Sequence, residues 1–230
     1  MTDVKSIKES SDNILYPHHS DVDFNLHIRN KEEFANSEIQ ALKPKNKESF
    51  IEIANSICNK PFEMAPHQIF VRNFLSFHTP YNSMLLFHGL GTGKTCTSIG
   101  VAEEMRQYLK YMNINKRIII VASPNVQENF KLQLFDERKL KETDGHWNIQ
   151  DCVGNSLLQE INPTNMVGLE RDKIIKMINK MISTSYLFIG YYQFANFIGR
   201  LNPNIENKQK NNKLYKKRIQ NEFNDRLVVI

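Results

Sequence analysis

The chain has 230 residues, of which 40% are hydrophobic and 24% are charged. This composition is typical of a globular protein, and the length suffices for one sizeable core with a small appendage. No apolar run reaches the roughly 18 residues that a membrane-spanning helix requires, and the N-terminus lacks the apolar segment of a secretory signal. The protein is therefore expected to be intracellular and to have no membrane partner. Its net charge of +5 is compatible with a polyanionic partner and equally with solubility alone.

Residues 1–62 are polar and weakly periodic, and they contain no motif. They are predicted to form an N-terminal extension that is partly disordered or helical, with a short helix over residues 49–58. From residue 63 onward, short apolar runs alternate with amphipathic stretches. Residues 63–230 are therefore predicted to form the main domain.

Four short apolar runs have the pattern of buried parallel strands, and they occupy residues 83–87, 118–122, 186–190 and 226–230. Amphipathic stretches that predict helices open near Ala65, Lys94, Ser123 and residue 170. Because strands alternate with helices, the sequence predicts an α/β fold with a parallel sheet.

Two stretches carry weaker predictions about the core. In the helix after the second predicted strand, Val126, Phe130 and Leu134 are expected to face inward. Residues 136–165 are polar, and only a short strand beginning at Val153 is predicted within them.

A glycine-rich loop follows the first predicted strand and precedes a predicted helix, with the sequence HGLGTGKT over residues 88–95. This is the context that a phosphate-binding P-loop requires. Gly89, Gly91 and Gly93 allow the backbone to turn tightly, so that several N–H groups point into one hollow. Those donors and the N-terminus of the helix can bind the phosphates of a nucleotide. The sequence therefore predicts an ATP site.

Two side chains of the loop carry the predicted chemistry. Lys94 can reach the β- and γ-phosphates, and the hydroxyl of Thr95 can bind Mg²⁺. The general pattern has glycine where this chain has His88. This histidine is interpreted as a loop residue: either it occupies the first position through its backbone, or the loop geometry differs slightly. The predicted nucleotide-binding residues are Gln68, His88, Gly89, Leu90, Gly91, Thr92, Gly93, Lys94, Thr95 and Cys96.

The arrangement around the loop resembles superfamily 2 helicases and translocases. Pro66-His67-Gln68 precedes the loop by about 20 residues, where those proteins have a glutamine that reads the adenine edge. An amide can both donate to and accept from that edge, so the resemblance assigns this role to Gln68. The alternative interpretation is a glutamine on a helix surface.

Two further stretches resemble motifs of the same superfamily. Ser123, Pro124 and Asn125 follow the second predicted strand and match motif Ia, which implies contact with a nucleic-acid backbone. A simple capped helix is the alternative. The stretch GYYQF over residues 190–194 resembles a later motif, although Gly190 replaces its threonine and Tyr192 is expected to be a core residue.

The last predicted strand resembles the strand that carries the Walker B motif. In the family, an acidic pair follows that strand, holds Mg²⁺ and polarises the attacking water. No Asp-Glu-Ala-Asp or Asp-Glu-x-His box occurs in the 230 residues. The resemblance thus implies a partial RecA-like P-loop domain that is truncated before Walker B, and little ATP hydrolysis by this chain alone.

The stretch around the P-loop also resembles helicases of nucleocytoplasmic large DNA viruses, of the nucleoside triphosphatase I and early transcription factor types. That resemblance implies a DNA-dependent ATPase in viral transcription, located in the virion and the host cytoplasm. It also implies DNA rather than RNA as a partner, together with viral RNA polymerase or transcription factors. Two alternatives stay open, a non-catalytic remnant and a stand-alone P-loop nucleotide-binding protein.

Overall fold

The structure is a computed structural model that describes residues 16–35, 37, 46–58, 63–149, 151–163, 168–200 and 211–230. It confirms an α/β protein, because helices alternate with a small parallel sheet. The chain divides into two compact units, Met1–Thr97 and Ser98–Ile230. No helix within the described ranges is both long and apolar enough to cross a membrane.

The first unit is helical in the ranges that the structure describes. Its helices are α1 (Phe24–Arg29), α2 (Glu32–Ala35), α3 (Lys47–Cys58), α4 (Pro66–Phe74) and the first turn of α5 (Lys94–Tyr111). An aromatic cluster forms its core, in which Phe34 and Phe74 are buried. The rings of Phe74 and Tyr81 are stacked, with centroids 4.3 Å apart.

The predicted N-terminal extension contributes to that cluster. Tyr16 and Phe24 pack against it, and the hydroxyl of Tyr81 donates to the carbonyl of Pro17 at 2.7 Å. The amide of Asn73 donates to the carbonyl of Glu33 at 2.8 Å. Residues of the extension thus pack on α4, while the boundary at residue 62 stays a prediction.

The predicted strand at residues 83–87 is wrong. The structure has no strand there, and the side chains of Leu85 and Phe87 are 88% and 94% exposed. An apolar run predicts burial, but a strand also needs neighbours that accept and donate its backbone hydrogen bonds. Those neighbours are distant in sequence, and a local pattern carries no information about whether they pair.

The second unit contains the strands and the remaining helices. The strands are β1 (Ile118–Val121), β2 (Lys141–Thr143), β3 (His146–Asn148), β4 (Tyr186–Ile189) and β5 (Val228–Val229). The helices are α6 (Pro124–Leu134), α7 (Ser156–Ile161), α8 (Arg171–Ser185), α9 (Tyr191–Arg200) and α10 (Asn211–Phe223).

Three of the strands form a parallel sheet in the order β4-β1-β5, as the sequence predicts for those runs. Ile119 of the central strand pairs with Leu187 of β4 and with Val228 of β5. All four residues of β1 are buried, which agrees with its uninterrupted β-branched composition. The carboxyl ends of the three strands therefore lie at one edge of the sheet.

The polar stretch after α6 contributes to a second core, which the sequence pattern did not predict. Trp147 is 7% exposed and packs with Phe135, Leu140 and Leu158 among others. Its strand, β3, pairs with β2 in an antiparallel hairpin that turns at Asp144-Gly145. Both turn residues have positive φ, at 52° and 73°, and Asp-Gly is a preferred sequence for such turns.

Three predictions in this unit are corrected, two on side-chain burial and one on a strand. Val126 is 52% exposed and Tyr192 is 80% exposed, although both were expected to face the core, and Val153 lies in a turn. Phe130 and Leu134 are buried as predicted. Val126 and Tyr192 belong to the first turns of α6 and α9, close to the sheet edge. Buried residues occur further along α6, whereas α9 has none.

Candidate nucleotide and nucleic-acid sites

The predicted P-loop is a tight turn that leads directly into α5. Gly91 and Gly93 have φ values of 76° and 78°, a left-handed conformation that glycine adopts at little cost. The hydroxyl of Thr92 donates to the carbonyl of Gly89 at 2.9 Å and closes the turn. Leu90 is fully exposed at its tip. Two of the three glycines in the loop thus have a conformation that other residues adopt only with strain.

The helix that follows begins at Lys94 and is 18 residues long. The N–H of Thr97 donates to the carbonyl of Gly93 at 2.9 Å and closes the first helical turn. The preceding N–H groups at a helix N-terminus have no carbonyl of the same helix to bond, and the helix dipole favours an anion beside them. This end of α5 can therefore bind a phosphate.

The ammonium group of Lys94 lies against the loop. It donates to the carbonyl of Gly89 at 2.7 Å and to that of His88 at 3.1 Å. Thr95 and Cys96 are half-buried in the first turn of α5. Because the ammonium group of Lys94 already bonds carbonyls of the loop, a phosphate bound there would exchange these contacts for charged ones, which are stronger.

His88 occupies the first position of the loop, where the general pattern has glycine. It is not among the described residues with positive φ, so its backbone conformation does not require glycine. Its carbonyl accepts from Lys94, which agrees with a contribution through the backbone. Its Nδ1 is buried and has no hydrogen-bond partner among the residues that the structure describes.

The start of α4 contacts the loop through two adjacent side chains. Gln68 is 5% exposed; its Nε2 donates to the carbonyl of Gly93 at 3.2 Å and its Oε1 accepts from the N–H of Ala65 at 2.9 Å. Nε2 of His67 lies 2.9 Å from the carbonyl of Thr92. The sequence singled out Gln68 but not His67, for which adjacency to Gln68 was the only available signal.

The contact between Gln68 and Gly93 makes a prediction about two neighbouring glycines. A Cβ on Gly93 would overlap with Nε2 of Gln68, whereas a Cβ on Gly91 would meet open space. Alanine at either position destabilises the left-handed backbone by roughly 1–2 kcal/mol. Only Gly93→Ala also displaces the side chain of Gln68. We expect Gly93→Ala to weaken binding of Mg-ADP about tenfold more than Gly91→Ala, measured by titration calorimetry. Equal losses would contradict a role for this contact.

The predicted nucleic-acid residues lie at the carboxyl edge of the sheet in the second unit. Ser123, Pro124 and Asn125 come directly after β1 and begin α6, with Pro124 and Asn125 exposed. Val121 pairs with Ile189, so the start of α9 lies at the same edge. This arrangement can present two helix starts to a negatively charged ligand.

The second unit also contains a buried group of charges on α5. Glu103 and Arg106 are each 5% exposed, and the guanidinium of Arg106 donates twice to Oε2 of Glu103, at 3.0 and 2.8 Å. Arg106 also donates to Glu160 of α7 at 2.8 Å, and the hydroxyl of Tyr186 donates to Glu103 at 2.5 Å. We call these four residues the Arg106 cluster. It attaches α5 to β4 and α7.

The cluster shifts the ionisation of its members. Burial and the negative charge of Glu103 hold the pKa of Tyr186 well above its usual value. Burial acts to lower the pKa of Arg106, but the hydrogen bonds that it donates to Glu103 and Glu160 outweigh burial and raise it. Burial acts to raise the pKa of Glu160, and its bonds with Arg106 and Lys110 outweigh that effect, so its pKa is lowered. Arg106 and Glu160 thus form an ion pair, while Tyr186 stays a neutral donor.

Comparison with known proteins finds similarity to proteins of large DNA viruses. It is 27% identical over 162 residues to "Putative helicase 087L" of Invertebrate iridescent virus 3, a match that covers 67% of this chain and 14% of that protein. It is 27% identical over 146 residues to "Putative ATP-dependent RNA helicase R563" of Acanthamoeba polyphaga mimivirus, covering 64% of this chain and 23% of that protein. The chain is similar to helicases of large DNA viruses.

A shorter match is much closer. Over 41 residues, or 18% of this chain, the identity with "Putative helicase 009L" of Frog virus 3 is 56%, although the match covers only 4% of that protein. The matched segments thus amount to less than a quarter of the length of each of these relatives. No family model matches the chain. No solved structure matches it either.

Proposed function

We propose that this chain is the ATP-binding part of a superfamily 2 nucleic-acid-dependent ATPase, built on a RecA-like P-loop domain. The observation that carries the proposal is the loop at residues 88–95. It combines two left-handed glycines, the start of an 18-residue helix and a lysine held over the turn. The similarity of the chain to proteins named as helicases supports the same function.

In this proposal the loop binds the phosphates of ATP, and each predicted residue has one role. Lys94 contacts the β- and γ-phosphates, and the hydroxyl of Thr95 binds Mg²⁺. The amide of Gln68 bonds Ala65 and Gly93, and one N–H and one lone pair are then left over. With these two groups it recognises the edge of adenine. His88, Leu90 and Cys96 flank the phosphates without a chemical role of their own.

The second part of the proposal is a nucleic-acid contact at Ser123, Pro124 and Asn125. Their exposure and their place at a helix start suit contact with a phosphate backbone. We propose a role in viral transcription with DNA as the nucleic acid, in contact with viral RNA polymerase or transcription factors. The mimivirus relative described above is named as an RNA helicase, so DNA and RNA are to be compared directly.

Binding measurements test both parts. Titration calorimetry of the chain with ATP should show binding that depends on Mg²⁺ and disappears with EDTA. Single-stranded DNA and RNA of equal length are then titrated at several salt concentrations against wild type and Asn125→Asp. We expect the aspartate to weaken binding of nucleic acid, because it repels the phosphate backbone. Absence of ATP binding would overturn the first part, and ATP binding without any affinity for nucleic acid would support a stand-alone nucleotide-binding protein.

A further inference from the structure

We propose that His67 is a positioning residue of the P-loop, which holds the carbonyl of Thr92 and thereby aims the N–H of Gly93 at the phosphates. The inference rests on the proposed nucleotide-binding function and adds a residue to that site. Its starting point is the 2.9 Å separation between Nε2 of His67 and the carbonyl oxygen of Thr92. A carbonyl can only accept, so the imidazole carries a proton on Nε2 and donates it.

Because of the geometry of the peptide bond, this contact also fixes the direction of the N–H of Gly93. In a planar trans peptide, the carbonyl and the N–H of one unit point in opposite directions. The carbonyl of Thr92 and the N–H of Gly93 belong to one such unit. When His67 holds that carbonyl on the α4 side of the loop, the N–H of Gly93 faces away from α4. This is the orientation that a phosphate-binding hollow requires of its donors.

The next peptide unit is held in the same way. The carbonyl of Gly93 accepts from Nε2 of Gln68 at 3.2 Å, from the N–H of Thr97 at 2.9 Å and from the hydroxyl of Thr97 at 3.1 Å. With three donors on that carbonyl, the N–H of Lys94 is oriented firmly. The carbonyl of Thr92 lacks a helix N–H donor, because the helical bonds begin at Gly93, so its orientation depends on His67.

The surroundings of His67 support a fixed imidazole. Its ring meets the ring of His88 edge to face, with centroids 5.5 Å apart and an interplanar angle of 81°. Pro66 precedes it as the first residue of α4 and restricts the backbone there. His67 therefore lies between the start of one helix and the loop that begins another, and its ring joins the two.

Two substitutions of His67 distinguish the role of its hydrogen bond from the role of its ring. His67→Phe keeps a planar ring beside His88 but cannot donate, whereas His67→Gln places an amide N–H near the position of Nε2. We expect His67→Phe to weaken Mg-ADP about five- to tenfold, the effect of one lost hydrogen bond, and His67→Gln to restore most of the affinity. The affinity of His67→Phe for inorganic tripolyphosphate should fall by the same factor, since the substitution affects binding of the phosphates and not of the base.

The exposed His78 of the same unit provides a matched control. His78→Phe should bind Mg-ADP and tripolyphosphate as wild type does. The proposal is overturned if His67→Phe retains wild-type affinity for both ligands, or if His67→Gln is as weak as His67→Phe.

Hydrogen exchange of the nucleotide-free chain tests the loop without any ligand. Backbone amides at residues 89–95 should exchange faster in His67→Phe than in wild type, and should be unchanged in His78→Phe. Unchanged exchange in His67→Phe would overturn the positioning role even where nucleotide binding is intact. Wild type could also fail to bind nucleotide while the loop of His67→Phe still exchanges faster than that of wild type. This result would overturn the proposed nucleotide-binding function but support the contact between His67 and Thr92.

Discussion

Replacement of Lys94 by alanine should weaken binding of Mg-ATP by roughly 10- to 100-fold, because a charged hydrogen bond to phosphate contributes about 1.5–3 kcal/mol. Lys94 lies over the turn, where its ammonium group bonds the carbonyls of Gly89 and His88. A nucleotide takes the place of these carbonyls, so the substitution removes the main positive charge that would face the β- and γ-phosphates. Titration calorimetry with Mg-ATP and with Mg-AMP measures the effect, which should be much smaller for AMP.

A lysine further along the same helix serves as the control. Lys110 is 65% exposed and pairs with Glu160, so Lys110→Ala should leave affinity for Mg-ATP unchanged. Lys94→Ala should also leave thermal stability nearly unchanged, because the carbonyls it releases are accessible to water. In a longer protein that contains this segment, the same substitution should abolish hydrolysis of ATP. Wild-type affinity in Lys94→Ala would contradict the assignment of the loop.

Arg106→Met should destabilise the second unit by about 3–5 kcal/mol, since removing one partner leaves a buried charge uncompensated. The side chain of Glu103 is 7% exposed, and its carboxylate would lose the hydrogen bonds that the guanidinium donates to it. A typical domain has only about 5–15 kcal/mol of net stability. The loss can be followed in urea by fluorescence of Trp147, because this is the only tryptophan and it is buried in the core of the same unit.

The charge explanation is tested by a second substitution. The double variant Glu103→Gln with Arg106→Met contains no buried ion at this place, so it should recover a large part of the stability. If Arg106→Met proves too unstable to purify, Tyr186→Phe removes one hydrogen bond to Glu103 and should cost about 1–3 kcal/mol. Unfolding of Arg106→Met at the urea concentration of wild type would show that the cluster contributes little to stability.

Local patterns predicted several elements because their causes are local. The β-branched run in β1 and the helix start at Pro124 are both present, since they depend on backbone sterics and on proline at a first helical position. The run at residues 83–87 is also mostly apolar, but it contains no β-branched residue and forms no strand. Whether such a run pairs with distant neighbours is a further condition that local composition does not contain.

The Arg106 cluster and Trp147 show the same limit. Glu103 and Arg106 are spaced three residues apart and look like an exposed helix face in sequence. They are buried because Glu160 and Tyr186, 54 residues beyond Arg106 and 83 beyond Glu103, provide partners for their charges. Trp147 lies in a polar stretch, and its hairpin and α8 supply the core around it. The Asp144-Gly145 sequence favours the hairpin turn, but a turn sequence does not predict which distant residues pack around Trp147.

The loop at residues 88–95 shows most clearly what the sequence determines and what the tertiary structure decides. Its turn and the helix that follows were determined by the sequence, because the spacing of Gly91, Gly93 and Lys94 acts through short-range sterics and backbone hydrogen bonds. The tertiary structure decided what holds that turn in place. His67 and Gln68 each reach the loop across 25 residues, and only the folded chain brings their donors to those carbonyls. Burial, pairing order and these long-range contacts depend on residues far apart in sequence, which a local pattern does not specify.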